Sequence, residues 1–158
     1  LDAYSASLLE RGLKTFPLRA ERMAANAMAV ARHLVRCRGI SDVRYPGLRD
    51  FDGHRAAARQ MKHGFGGMMA FEVGNDQEDA KRFVSALRVI RHAVSLGSTE
   101  SLICIPFLTT MLYMPPERRT TFGVKPNTVR LSVGVEPVAH LLEDIDQALR
   151  SVKKRSRS

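Results

Sequence analysis

The sequence has no tryptophan, only two cysteines, and aromatic residues make up 6% of it. Cys37 and Cys104 are too few for a disulfide framework and do not form a C-x-x-C pair, so a reducing cytosol fits better than secretion. No apolar run approaches the roughly 20 residues of a membrane-spanning helix. There is no basic, apolar and small-residue leader, no Walker-type phosphate loop and no G-x-S-x-G elbow. The five histidines, His33, His54, His63, His92 and His140, lack the close spacing of a helical metal pair, and no metal site is expected from them. Cys104, between Ile103 and Ile105, reads as a small buried apolar residue. Gly64-Phe65-Gly66-Gly67 precedes an apolar run where a phosphate cradle should precede a helix, so it reads as entry into a strand.

What is present suits one soluble domain: 158 residues, 44% of them apolar. The net charge of +9 raises nucleic acid as a partner, but five of the positive charges lie in residues 150–158, leaving +4 for the rest. No aromatic residue is interleaved there for base stacking. Residues 150–158 are therefore expected to be a disordered basic tail rather than a nucleic-acid arm. Leu1 stands where an initiator methionine would, which gives the expectation of a chain cut from something longer.

Hydrophobic spacing predicts a short helix over 2–15, then a longer one from Pro17 to a stop at Gly39, with Leu18, Met23, Ala27, Val30, Ala31, Leu34 and Val35 on one face. A short strand around Val43 and Tyr45 closes at Pro46-Gly47, and a short helix follows around His54 to Met61. Met68 to Val73 reads as a buried strand. Asn75 or Asp76 caps a helix carrying Ala80, Phe83, Val84, Leu87 and Ile90. Strands are expected at about His92 to Leu96 and at Thr128 to Gly134. The intervening Gly97 to Pro126 reads as one long functional loop. Pro137 opens an amphipathic helix through Leu149. This order predicts an α+β fold, a small mostly antiparallel sheet covered by helices.

Arg130 is the most informative residue. It interrupts the apolar strand between Val129 and Leu131, where a guanidinium needs an anion. A carboxylate held by two parallel hydrogen bonds would suit it. Two other readings stay open on these grounds: an arginine on a solvated face, and one bridged to a structural acid.

Arg11-Gly12-Leu13-Lys14-Thr15, Tyr45-Pro46-Gly47-Leu48, Arg59-Gln60-Met61, Gly66-Gly67-Met68 with Phe71-Glu72, Ser95-Leu96-Gly97 with Glu100-Ser101-Leu102, and Val129-Arg130-Leu131-Ser132-Val133-Gly134 occur in order. This set resembles the carboxy-terminal domain of the cysteine and methionine metabolism enzymes that use pyridoxal 5′-phosphate, over residues 1–149. The family includes cystathionine γ-lyases, methionine γ-lyases and cystathionine γ-synthases. The resemblance implies the second domain of a fold-type I enzyme, cytoplasmic and homotetrameric when intact. Most cofactor contacts would then lie in a large domain outside this chain.

The family's Schiff-base lysine, in a Ser-x-Thr-Lys type motif, has no match here, and Lys14 belongs to a different motif. No catalytic residue is therefore assigned, and the chain alone is expected to be inactive. By motif position Arg130 would bind the substrate α-carboxylate, and Ser95 with Leu96 would line the same pocket. Val94 would favour an apolar distal group. Thr110 is either a pocket residue or a structural loop hydroxyl. The expected activity is γ-elimination on cystathionine or methionine. The alternatives are γ-replacement on a homoserine ester, as in cystathionine γ-synthases and O-acylhomoserine sulfhydrylases, and a non-catalytic interaction module.

Overall fold

The computed structural model describes residues 1–153. Helix α1 (Ala3–Lys14) is capped by Asp2, whose carboxylate accepts from the Ser5 N–H at 2.9 Å and from the Ser5 hydroxyl at 2.7 Å. Helix α2 (Phe16–Leu34) follows at once, with Pro17 in its first turn, where its missing N–H costs nothing. It buries Ala24, Ala27, Val30, Ala31 and Leu34, whereas Leu18 and Val35, expected on that face, are exposed. The helix also stops at Leu34, short of Gly39. The Arg36 N–H bonds the His33 carbonyl and the Cys37 N–H the Leu34 carbonyl, three-residue links that tighten and end the last turn.

The remaining elements are β1 (Ile40–Arg44), α3 (His54–Gln60), β2 (Met68–Val73), α4 (Gln77–Ala86), β3 (Arg91–His92) and β4 (Leu102–Cys104). After them come a 3-10 turn (Pro106–Leu108), α5 (Pro116–Thr121), β5 (Thr128–Ser132) and α6 (Val138–Lys153). The sheet order is β1-β2-β5-β4-β3, antiparallel throughout except for the parallel β3–β4 pair at one edge. This is the α+β arrangement expected.

Several boundaries differ from the sequence reading. Helix α4 ends at Ala86 because the Asp144 carboxylate, on α6, accepts the N–H groups of Arg88, Val89 and Ile90, each at 2.9 Å. Three amides held this way cannot continue a helix, and Ile90 is buried beyond it instead. Strand β3 has two residues, not five. Strand β4 lies inside the stretch read as a loop and is fully buried. Helix α6 continues past Leu149 to Lys153, with Val152 packed against the core and the Ser151 hydroxyl donating to the Ala148 carbonyl at 2.6 Å. The expected tail therefore cannot begin at 150; its part from 154 to 158 lies outside the described residues.

Alternation in β2 and β5 sends Phe71, Val73, Val129, Leu131 and Val133 to one side, where α2, α4 and α6 cover them. Phe71 meets Phe83 of α4 edge to face, centroids 6.1 Å apart. Fully buried side chains of this size stabilise the fold by about 1.5–3 kcal/mol each. The sheet's other face carries Thr128, Arg130 and Ser132. Among the described residues no helix is long and apolar enough to cross a membrane.

Candidate carboxylate-binding site

Arg130 sits mid-strand in β5, in register with Ala70 of β2 on one side and Cys104 of β4 on the other. Both neighbours are small, which lets the half-buried guanidinium extend across the sheet. Its Nη2 donates to the Ser95 main-chain carbonyl at 3.2 Å. Among the described residues no carboxylate lies within ion-pair distance of it. A guanidinium has five N–H donors, so most of this one's capacity is unspent.

The lack of an acidic partner has a structural reason. Glu72 occupies the same sheet face, paired with Thr128 two register positions away, but its charge is already taken. Lys125 Nζ lies 2.9 Å from Glu72 Oε1 and 3.1 Å from Oε2, and Arg44 Nη2 lies 3.8 Å from Oε1. Oε1 has no well-directed hydrogen bond among the described residues, so its compensation is chiefly the ionic contact with Lys125. Arg44 also pairs with Asp42, and that hydrogen bond holds the Asp42 carboxyl below its usual range. Two cations and two acids thus pair with one another on this part of the sheet, and Arg130 has no acidic partner among the described residues.

The loop before β4 is fixed from the same strand. Ser132, two residues beyond Arg130, accepts the Gly97 N–H on its Oγ at 3.0 Å. Gly97 adopts φ +73°, a left-handed conformation that a side chain would strain. Arg130 and Ser132 therefore each grip one main-chain group of segment 94–97. Val94 and Leu96 flank Ser95 and are more than half exposed. Farther along, the Ser101 hydroxyl donates to Glu136 at 2.9 Å and accepts from the Gly134 N–H at 2.9 Å, locking the start of β4 to the end of β5. Only glycine fits at 134, because a Cβ there would meet the Thr99 carbonyl at 2.3 Å.

Of the residues singled out from sequence, Arg130, Val94, Ser95 and Leu96 are brought together. Ser95 meets Arg130 through its carbonyl rather than its hydroxyl. Thr110 is exposed, and among the described residues no hydrogen bond ties it to Arg130 or to 94–96. Its segment is organised by Arg119, which sequence reasoning missed. That guanidinium donates to the carbonyls of Met114 and Leu112, both at 2.7 Å, and of Phe107 at 3.3 Å, and stacks 4.5 Å over the Phe107 ring. No local signal marks Arg119. Ser132 was missed too, although its place two residues from Arg130 on an alternating strand puts it on the same face.

The site is thus a strand-borne arginine without an acid partner among the described residues, beside a loop pinned by Arg130 and Ser132. The chain belongs to the Cys/Met metabolism PLP-dependent enzyme family, whose model matches residues 1–150. It is 44% identical over 142 residues to the cystathionine beta-lyase of Lactococcus lactis subsp. cremoris (strain MG1363), covering 90% of this chain and 37% of that protein. It is 41% identical over 151 residues to the L-methionine gamma-lyase of Pseudomonas putida, covering 96% of this chain and 38% of that one. The crystal structure of cystathionine gamma-lyase from Lactobacillus plantarum complexed with L-serine superposes with a TM-score of 0.86. Its sequence is 38% identical, and the match covers 92% of this chain and 38% of that one. The chain thus spans less than two fifths of the length of these relatives.

The family depends on pyridoxal 5′-phosphate, but no lysine whose side chain is described is set to form a Schiff base with it. A Schiff-base lysine has to be desolvated and poised. Lys14 is paired with Glu10 and well exposed, Lys81 is paired with Glu78, Lys125 with Glu72, and Lys62 is exposed.

Proposed function

We propose that this chain is the substrate-binding domain of a carbon–sulfur lyase acting on sulfur amino acids, and that Arg130 holds the substrate α-carboxylate. The observation that carries this reading is a half-buried guanidinium with one hydrogen bond, to Ser95, and no acidic partner among the described residues. A planar carboxylate accepting two of its remaining N–H groups would be fixed in position and plane. Fixing it sets which bond at Cα faces the reacting group, and such orientation accounts for a large share of an enzymatic barrier reduction. Pyridoxal phosphate, held by residues outside this chain, would supply the electron sink for carbanion chemistry.

The exposed Leu8, Leu9, Leu13, Phe16 and Leu18 form an apolar stripe along α1 and the start of α2. That stripe suits burial against a large cofactor-binding domain. We read the intact enzyme as a cytosolic homotetramer: the scarcity of cysteine suits a reducing compartment, and the tetramer is what the family resemblance implies. Within the lyases the reading is γ-elimination of cystathionine or methionine, and the apolar Val94 beside Ser95 suits the thioether methyl of methionine. The test is a product assay of the intact protein with cystathionine, methionine and an O-acylhomoserine. Release of 2-oxobutanoate from the first two supports γ-elimination. Pyruvate from cystathionine would move the assignment to β-elimination, and turnover of the ester with a thiol alone would move it to γ-replacement.

A further inference from the structure

We propose a second site on the helical side of the molecule, a zinc-binding site formed by His33, Cys37 and Asp146 that ties the end of α2 to α6. One ligand atom from each residue lies within 4.8 Å of the others. The histidine and cysteine are four residues apart, but not on continuous helix: α2 ends at Leu34, and the tightened turn beyond it carries Cys37 back so that its thiol donates to the His33 carbonyl at 3.3 Å. Asp146 arrives from α6, 109 residues away from Cys37, and its Oδ1 is 2.8 Å from His33 Nε2 and 4.0 Å from Cys37 Sγ.

The donor set selects the metal. Imidazole nitrogen, thiolate sulfur and a carboxylate oxygen suit Zn²⁺ or its spectroscopic substitute Co²⁺, whereas Mg²⁺ and Ca²⁺ take oxygen ligands. A thiolate and a carboxylate would supply two negative charges against a divalent cation. Ordinary zinc bond lengths in a tetrahedron put the imidazole nitrogen roughly 3.4 Å from the carboxylate oxygen and the sulfur roughly 3.6 Å from it. The first distance must open by about 0.6 Å and the second close by about 0.4 Å, and the imidazole nitrogen and the sulfur, within 4.8 Å of one another, must come to roughly 3.5 Å. The hydrogen bond between His33 and Asp146 stands where the metal would sit between them. The Asp146 side chain is half exposed, which leaves an entry path and a fourth position for water.

The test uses the intact protein with Zn²⁺ and Co²⁺ as probes, followed by titration calorimetry, thermal melting and the cobalt spectrum. One equivalent of Zn²⁺ should bind and raise the melting temperature. The Co²⁺ form should show a thiolate-to-cobalt charge-transfer band that disappears in Cys37→Ser. His33→Gln and Asp146→Asn should each weaken binding by about tenfold or more. A folded Cys37→Ser protein that keeps the band would overturn the site. So would wild-type affinity in both His33→Gln and Asp146→Asn, or an intact wild-type protein that binds no zinc. Because Asp146→Asn keeps the size and polarity of the side chain, its melting temperature without metal distinguishes loss of the site from loss of the fold.

Discussion

The guanidinium of Arg130 and the main-chain carbonyl of Ser95, 35 residues apart, meet at 3.2 Å across β4. One arm of the arginine anchors the loop while the others remain available to an anion. Lysine cannot do both, because its ammonium is a compact point charge without the planar fork. Arg130→Lys in the intact enzyme should lower kcat/KM roughly 10- to 100-fold, the cost of about one charge-assisted hydrogen bond. Its melting temperature should stay near wild type. Steady-state kinetics and a thermal melt check this.

Ser132 acts through the loop. It is 2% exposed, so Ser132→Ala would leave the Gly97 N–H without its acceptor at a cost of about 1 kcal/mol. KM should rise by about fivefold with a smaller change in kcat, and Ser132→Thr, which restores a hydroxyl, should recover most of it. Equal losses in both variants would point to packing rather than to the hydrogen bond.

The distribution of these features explains how far the sequence could be read. Arg130 was visible because strand alternation makes one charged residue between Val129 and Leu131 conspicuous. The Ser95 carbonyl was not, since every residue carries one and only the fold decides which is aimed at the arginine. Strand β4 escaped because the three residues between Ser101 and Ile105 carry too little periodicity, and its burial comes from neighbours on both sides. The end of α4 escaped because the competitor for its amides is Asp144, some 54 to 56 residues away. The grouping of His33 and Cys37 with Asp146 has the same character. Histidine spacing alone argued against a metal, but two of the three donors are not histidines.

Asp144 should be among the most sensitive structural positions. It is 4% exposed and satisfies three backbone N–H groups. Asp144→Ala strands these donors in a largely buried setting, and a loss of about 2–4 kcal/mol is expected. Urea unfolding should show the midpoint falling with little change in slope.

Tyr45 predicts a loss of stability at alkaline pH. The side chain is fully buried and its hydroxyl donates to the Gly66 carbonyl at 3.0 Å. Burial pushes its pKa up from 10.0 to about 12. The folded state therefore keeps a proton that the unfolded chain gives up. This contribution is complete below pH 10 and is lost as the pH rises toward about 12. Tyr45→Phe should be less stable at neutral pH, by about 1 kcal/mol for the lost hydrogen bond, and should show a shallower fall over the alkaline window. Denaturant unfolding measured from neutral pH through that window tests both.

Whether Arg130 reads a carboxylate is decided by a two-by-two comparison of enzyme and substrate. Wild-type and Arg130→Ala forms of the intact enzyme would be assayed with the amino-acid substrate and with its carboxamide analogue. Wild type should prefer the acid in kcat/KM by roughly 10²- to 10³-fold, and Arg130→Ala should lose most of that preference while remaining folded. An Arg130→Ala enzyme that still discriminates acid from amide as strongly as wild type would contradict the assignment.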